Sequence, residues 1–313
     1  MTRAADWPRG HLGRLLVAAA GFALVAPPGL VALPVALMGL GRGTGGGWRT
    51  VWAGAFTGLA AMWLVWPGDL PSQTMRAGAV FAAATFVLLA DRTRWSVTHR
   101  ALLAALVAVA GTALLYLALG WSWARLHWWV EYRTGFALQL MSAVWWPAFG
   151  PEAQVQLAQS MNRVVRWTAD AWPALGTVQL LVGFGLASAL HGRLAGAPRG
   201  CPPARIREFR FSEHWGWMLV LGLAGVLLGR SSLVVWIVAL NLLTLGAALF
   251  LARGAAVTVF LWARAGTSRW VAAFGVVAIV FLMPVVLGAL LALGVLDAGL
   301  DLRRRVTAPP PNQ

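Results

Sequence analysis

The 313-residue chain has no lysine, one cysteine and few charged side chains, and each shortage excludes a class of protein. A single thiol, Cys201, allows neither a disulfide within the chain nor a cysteine-based metal cluster. Charged residues make up only 11% of the sequence and hydrophobic residues 59%, a balance that a water-soluble domain does not have. We therefore expect a membrane protein that needs no metal and no cofactor.

The net charge of +15 comes from arginine alone, because the chain has no lysine. In a soluble protein this charge would suggest binding to nucleic acid. In so hydrophobic a chain it favours arginine-rich loops that face anionic lipid on the cytoplasmic side of a membrane. We expect the lipid bilayer to be the partner and expect no nucleic acid.

Long apolar runs define the fold class. A helix needs roughly 20 apolar residues to cross the hydrocarbon layer, and residues 101–120 form the cleanest such run. Lipid cannot satisfy open backbone groups, and the period-2 alternation of membrane strands is absent, so the runs must be helices. The sequence predicts an all-α, polytopic transmembrane helix bundle of about eight to nine spans. Besides 101–120 they include a span with Arg76 near its start that ends at Ala90, and the runs 15–26, 29–40, 50–66, 172–190, 213–229, 233–262 and 271–296.

One long stretch, residues 121–171, does not resemble a span and opens with WSWARLHWWVEYR. Its first helical candidate, 128–146, has tryptophan pairs at both ends, which favours a position near a membrane interface. The second candidate, 152–169, has an amphipathic pattern typical of a helix in the membrane surface, with apolar side chains at Leu157, Met161, Val164, Val165 and Thr168. This stretch is called the insertion below.

The insertion divides the predicted domain organisation. Residues 1–120 form an N-terminal transmembrane half, 121–171 the interfacial insertion, 172–302 a C-terminal transmembrane half and 303–313 a disordered tail. If the first two runs are separate spans and the N-terminus lies inside, most arginines lie inside and the insertion lies outside the bacterial cytoplasmic membrane. This frame also leaves Arg303–Arg305 outside, against the positive-inside rule, so the side of the C-terminus stays open.

Polar and aromatic side chains near the spans are the candidates for ligand binding. Polar groups at membrane depth are costly and face the bundle interior, where they bond a neighbouring helix or line a cavity. Tryptophan and tyrosine near the insertion have the amphipathic rings of membrane substrate sites. The candidate ligand-binding residues are Trp128, Trp129, Tyr116, Gln179 and Asn241.

Two other sets of residues have competing interpretations. His127 and Glu131 share a helix face as a metal pair would, but no third ligand is near, and a histidine satisfied at the interface is the favoured interpretation. Arg205, Arg207 and Arg210 in the loop 192–211 either contact a partner or anionic lipid, or only determine topology. Because Ser188 and His191 lie one turn apart without an oxyanion site, and no HExxH motif is present, we predict that the protein is not an enzyme.

Three segments resemble the YybS-like family of multi-pass bacterial membrane proteins: LPVALMGLGRG (33–43), FRFSEHWGW (209–217) and GVLDAGLDLRRR (294–305). The resemblance implies an integral membrane protein without a settled biochemical activity. That family in turn is similar to the substrate-binding S components of energy-coupling-factor vitamin transporters. This chain differs from an S component in its larger number of predicted spans and in the insertion.

Two functions are consistent with these features. In the first, the protein binds or transports a small molecule in a cavity beneath the insertion, as an S component does, because broken spans and tryptophan-rich outer segments are typical of membrane substrate sites. In the alternative, it is a membrane scaffold that recruits a membrane or cytoplasmic protein partner through the loop 192–211.

Overall fold

The computed structural model describes residues 28–41, 55, 68–144, 146–194, 206–229, 232–265, 275 and 282–307. All regular elements within these ranges are helical, so the predicted all-α class is confirmed for the described part of the chain. The α-helices are α1 (Ala32–Gly41), α2 (Leu70–Arg92), α3 (Val97–Ala118), α4 (Trp123–Ser142), α5 (Pro151–Asp170), α6 (Trp172–Leu194), α7 (Gly216–Leu228), α8 (Leu233–Arg264), α9 (Met283–Leu300) and α10 (Leu302–Thr307). Short 3-10 turns lie at Pro28–Val31, Trp146–Ala148, Ile206–Glu208 and Glu213–Trp215.

Five of the described helices are long and apolar enough to cross a membrane: α2, α3, α6, α8 and α9. This number is smaller than the predicted eight to nine. The predicted spans 15–26 and 50–66 lie outside the described residues, apart from residue 55, as does most of the first half of 271–296. Helices α1 and α7 have 10 and 13 residues and are each about 15–20 Å long, too short to cross alone. The total span count therefore stays a prediction.

The outer faces of the spanning helices are apolar, as contact with lipid requires. Leu114 and Leu117 on α3 are 68% and 70% exposed, and Val285 on α9 is 69% exposed. Soluble proteins rarely expose large contiguous apolar surfaces, because water disfavours them. These faces, together with the five candidate spans, make the chain an integral, multi-pass membrane protein in contact with the lipid bilayer.

The chain divides into two compact units, residues 1–203 and 204–313. This division differs from the predicted halves around the insertion. Helices α4 and α5 pack on each other, α5 contacts α6, and α6 packs against α1 and α3, so the insertion and the span after it belong to the first unit. At the other end, residues 303–307, predicted to begin a disordered tail, form most of the helix α10.

The first unit is built around α2, the most buried of the five spans. Asp69 caps this helix by accepting a hydrogen bond from the Ser72 amide, 3.2 Å long. Alanine is the commonest residue on the buried face of α2, and its small side chain lets neighbouring helices approach closely. Phe86 on this face stacks on Phe184 of α6 with ring centroids 4.6 Å apart. The alanines of this face are Ala79, Ala82, Ala83, Ala84 and Ala90.

The insertion forms a pair of helices, α4 and α5, within the first unit. Ser122 caps α4 by accepting from the Arg125 amide. On α5 most of the predicted apolar face is half-buried, but Val164 is 49% exposed and lies off that face. Trp145, in the second predicted tryptophan pair, lies outside the described residues. The side of the membrane on which the insertion lies stays a prediction.

The second unit is organised around α8, which packs against α7 and α9. Glycines allow the backbones to touch at both contacts. A Cβ atom added to Gly222 of α7 would lie 2.5 Å from the Leu243 amide nitrogen, and one added to Gly254 of α8 would collide with the Leu290 carbonyl oxygen of α9. A Cβ atom added to Gly294 of α9 would likewise collide with the Phe250 carbonyl oxygen of α8. These contacts bring Arg253 and Asp297 next to each other.

Candidate ligand cavity

A cavity of about 300 Å³ lies in the first unit between α2, α3, α6 and the start of the insertion. We call it the tryptophan cavity. It is partly open, and the first residues of the insertion form one of its walls. The lining residues are Met75, Gly78 and Ala79 of α2, Ala108, Val109, Thr112, Ala113, Tyr116 and Leu117 of α3, Trp121, Ser122, Trp123 and Leu126 of the insertion, and Trp172, Pro173, Gly176, Gln179 and Leu180 of α6.

Helical spacing explains why these residues share one space. Ala108, Thr112 and Tyr116 follow one another at intervals of four on α3, so they line one face of that helix. Trp172, Gly176 and Gln179, at intervals of four and three, line one face of α6 in the same way. The two ends of the insertion meet here, because Trp121 opens it and Trp172 follows its last residue.

The cavity extends from the end of α3 toward the middle of that helix. Tyr116 lies two residues before the end of α3 at Ala118, and Ala108 lies ten residues before it. Ten helical residues correspond to about 15 Å. That is about half of the hydrocarbon thickness of roughly 30 Å.

Tyr116 is the polar side chain at the outer end of the cavity. It is 6% exposed, and its hydroxyl donates a 3.0 Å hydrogen bond to the carbonyl oxygen of Pro71. Its ring lies 6.1 Å from that of Trp121, measured between centroids. The hydroxyl oxygen keeps lone pairs with which it can accept a hydrogen bond from a ligand.

Two further polar side chains of the cavity make no side-chain hydrogen bond to any described residue: the hydroxyl of Thr112 and the amide of Gln179. Thr112 lies against α2 so closely that a Cβ atom on Gly78 would collide with its hydroxyl oxygen. Gln179 is half-buried and offers both donors and acceptors. None of the described lining residues carries a charge, so the cavity suits an uncharged molecule.

Asp69 attaches the insertion to the start of α2, close to the cavity. One carboxylate oxygen accepts from Trp129 Nε1 at 2.5 Å and from Arg133 Nη2 at 3.3 Å. Burial raises the pKa of Asp69, but hydrogen bonds from Ser72 and Trp129 and the positive charge of Arg133 together hold it below its ordinary value. The ionised carboxylate therefore stabilises the position of α4.

His127 connects the two helices of the insertion. Its Nε2 lies 2.9 Å from a carboxylate oxygen of Asp170 on α5, and its Nδ1 lies 3.8 Å from Glu131. In the part of the chain that the structure describes, no group of three or more His, Cys, Asp or Glu side chains is arranged to hold a metal ion.

The structure brings only some of the candidate ligand-binding residues together. Tyr116 and Gln179 line the tryptophan cavity, whereas Trp128 is 61% exposed and Trp129 bonds to Asp69. Asn241 lies in the second unit and donates to the Ile237 carbonyl of its own helix at 2.9 Å. Sequence reasoning missed the residues that supply the aromatic walls and the free hydroxyl, which are Trp121, Trp123, Trp172 and Thr112. Two features of the sequence could have pointed to them: the tryptophans lie at the two ends of the insertion, and Thr112 lies one helical turn before Tyr116.

The loop arginines are only partly described. Arg205 and the side chain of Arg207 lie outside the described residues. Arg210 is 50% exposed at its side chain and forms an ion pair with Asp301, with Nη2 and Oδ1 3.0 Å apart. A partner or lipid contact through this loop therefore stays a prediction.

The five candidate spans and their exposed apolar faces define a polytopic α-helical membrane protein. The family model described as predicted membrane protein (DUF2232) matches residues 80–298, more than two thirds of the chain, and the chain belongs to this family. The match begins within α2, ends within α9 and includes the whole insertion. Comparisons with curated proteins and with solved structures gave no match.

Proposed function

We propose that the protein binds a small, uncharged and largely apolar molecule in the tryptophan cavity, within the bacterial cytoplasmic membrane. The observation that carries this proposal is a largely apolar, tryptophan-walled cavity on which two polar groups, the Thr112 hydroxyl and the Gln179 amide, make no side-chain hydrogen bond to any described residue. Ligand sites are typically lined by apolar and aromatic side chains with a few placed polar groups. The size of the cavity is at the lower end of the range for such sites.

The lining chemistry restricts the ligand class. A polar group in an apolar environment without a partner costs free energy, which a ligand recovers by bonding to it. The rings of Trp121, Trp123 and Trp172 favour a flat molecule that can stack. We therefore expect a neutral ring compound with one or two hydrogen-bonding groups.

Binding for transport, rather than catalysis, is the role that this cavity supports. Its described lining contains no histidine, aspartate or glutamate that would serve as a general acid or base. Its extension from a helix end to about mid-bilayer depth suits a molecule on its way across, because transporter sites lie near the midplane. The binding role of an energy-coupling-factor S component is the nearest functional parallel.

The first experiment measures thermal unfolding of the purified protein in lipid nanodiscs with a set of ring compounds. Nicotinamide, pyridoxine and riboflavin are the neutral probes, and thiamine and biotin are charged comparison compounds. A ligand present at a hundredfold excess over its Kd stabilises the folded state by about 2.7 kcal/mol. We expect at least one neutral probe to raise the unfolding temperature and the charged compounds to have no effect.

A matched pair of substitutions tests whether the cavity is the site. Gly176 and Gly185 both lie on α6, and a Cβ atom at either position would meet nothing within 4 Å, but only Gly176 lines the cavity. Gly176→Leu fills the cavity and should abolish the stabilisation, whereas Gly185→Leu should preserve it. If neither variant changes the response, or if no neutral probe stabilises the native protein, the proposal fails.

A further inference from the structure

In the second unit, two arginines share one fully buried carboxylate. Arg253 Nε lies 2.8 Å from Asp297 Oδ2, and its Nη2 donates to the Asp297 carbonyl oxygen at 2.9 Å. Arg303 approaches the same carboxylate with Nη2 at 2.7 Å and Nε at 3.3 Å, and its Nη1 donates to the Phe209 carbonyl oxygen. One negative charge therefore faces two positive charges.

The chain reversal after α9 produces this arrangement. Asp301 ends α9 in the left-handed conformation, with φ of 44°, and its amide donates to the Asp297 carbonyl oxygen. A single left-handed residue turns the chain sharply, so Arg303 points back to Asp297. The Asp301 side chain pairs with Arg210, as described above.

A second cavity, of about 590 Å³, lies beside these groups within the same unit. We call it the arginine cavity. Its described lining has four guanidinium groups and one carboxylate, and it includes the last residue of α8. The lining residues are Glu208, Arg210, Phe260, Ala263, Arg264, Arg303 and Arg304.

The charges around the arginine cavity do not balance. When Arg253, Asp297 and Asp301 are added to the lining, five arginines face three carboxylates, an excess of two positive charges among the described side chains. The C-terminal end of α8 offsets only about half an elementary charge. An anion placed in the cavity would remove the remaining repulsion between the guanidinium groups.

The geometry favours a phosphate over a carboxylate as that anion. Arginine forks bind phosphate oxygens in pairs, and several arginines around one space suit a group with three or four acceptor oxygens. Arg303 is held by its three bonded nitrogens and is only 4% exposed, so its orientation is set before a ligand arrives. Exposed Val259 and Leu261 flank Phe260 on α8, so lipid-facing surface adjoins the site.

From this cluster we infer that the arginine cavity binds a phosphate ester, the head group of an anionic phospholipid or a soluble phosphate compound. The site is separate from the tryptophan cavity and does not depend on the function proposed for it. Arg264 and Arg304 are the residues to test, because both are exposed and neither touches Asp297 in the described contacts.

The test measures phosphate binding by the full-length protein in two settings. In the first, phosphatidylglycerol is titrated into the detergent-solubilised protein and bound lipid is counted by native mass spectrometry, with phosphatidylcholine as the comparison lipid. In the second, thermal unfolding is measured in phosphatidylcholine nanodiscs with inorganic phosphate. Sodium chloride at equal ionic strength is the control, because both salts then screen the protein's charges equally.

Three variants are compared with the native chain. Each arginine near an anionic lipid contributes a factor of about five in affinity, so Arg264→Gln with Arg304→Gln should weaken binding roughly twenty-five-fold. Glu208→Gln removes the carboxylate of the lining and should tighten binding. Arg166→Gln on α5, where Arg166 is also exposed, removes the same charge from the first unit and should leave binding unchanged.

Each outcome decides the inference. A lipid head group is the occupant if the native chain binds phosphatidylglycerol, the double variant loses this binding and Glu208→Gln strengthens it. Stabilisation by inorganic phosphate alone, with the same response to the variants, supports a soluble phosphate compound. If the double variant binds both as the native chain does, or if Arg166→Gln weakens binding equally, the inference is overturned.

Discussion

The side chains of Arg253 and Asp297 form a buried ion pair, with Nε and Oδ2 2.8 Å apart, although 44 positions separate them in the chain. The pair lies where α8 and α9 touch through Gly254 and Gly294. Ionised groups inside a membrane span are costly unless they are paired, so the contact between the helices and the pair depend on each other.

Removing the shared carboxylate should cost more than removing one of its arginines. Asp297→Asn leaves Arg253 and Arg303 buried beside each other without a counter-charge, and we expect it to lower the free energy of unfolding by about 3–5 kcal/mol. Arg253→Met leaves Asp297 paired with Arg303, so its effect should be clearly smaller. Chemical unfolding in mixed micelles measures both. Equal losses for the two variants would show that the carboxylate is not shared.

The α8–α9 contact should not tolerate even one added carbon atom. Gly254→Ala places a Cβ against the Leu290 carbonyl oxygen, and the helices must separate at a cost of about 1–3 kcal/mol. Gly288→Ala on α9 is the control, because a Cβ there meets nothing within 4 Å. That change should be neutral or should stabilise by up to about 1 kcal/mol through helix propensity. Thermal unfolding in detergent compares them, and a stable Gly254→Ala protein would contradict the close contact.

The attachment of the insertion should weaken in acid. The pKa of Asp69 lies below its ordinary value in the folded protein, so its stabilising effect is complete above the unfolded value, near pH 4, and is lost as pH falls through the folded value. Asp69→Asn should remove that part of the pH dependence. The measurement is the unfolding temperature from neutral pH down to about pH 3. If the unfolding temperature of Asp69→Asn falls in acid as much as that of the native chain, the Asp69 contacts are not the cause of the acid sensitivity.

The side of the insertion can be tested at Gly150, which precedes α5 in the turn between the two insertion helices. The arginine distribution predicts an extracytoplasmic position. Alkaline phosphatase fused after Gly150 should therefore be active, and green fluorescent protein fused there should not fluoresce. A fluorescent fusion at Gly150, with an inactive phosphatase, would reverse the predicted orientation.

The sequence predicts the helical class and the membrane environment well, because both follow from composition and apolar run length. It also predicts the second insertion helix, 152–169, within one residue of the observed Pro151–Asp170, since Pro151 is a local signal for a helix start. The first helix, predicted at 128–146, begins five residues earlier at Trp123, because the cap at Ser122 was not used in the prediction. Which helices pack together is harder to predict from the sequence. That α6 packs with α1 and α3 depends on contacts between residues distant in sequence, which apolar runs of similar composition do not distinguish.

The candidate site was predicted only in part, because its lining also depends on contacts between residues distant in sequence. Tyr116 and Gln179 were chosen for polarity at membrane depth, and both line the tryptophan cavity. Trp128 and Trp129 were chosen for their amphipathic rings near the insertion, but Trp128 is exposed and Trp129 donates to Asp69, so neither lines the cavity. Arg303 can contact Asp297 together with Arg253 because Asp301 adopts the left-handed conformation. The sequence analysis did not predict that conformation.

The alanine face of α2 has a consequence for how the first unit assembles. An alanine side chain has no rotamers to lose, so burying these residues costs almost no side-chain entropy, whereas a leucine or methionine face would lose about 0.5–2 kcal/mol per residue. In lipid the hydrophobic effect does not drive helices together, and this saving counts directly toward association. Helix α2 is therefore suited to be the helix against which the other spans of the first unit pack as the unit assembles.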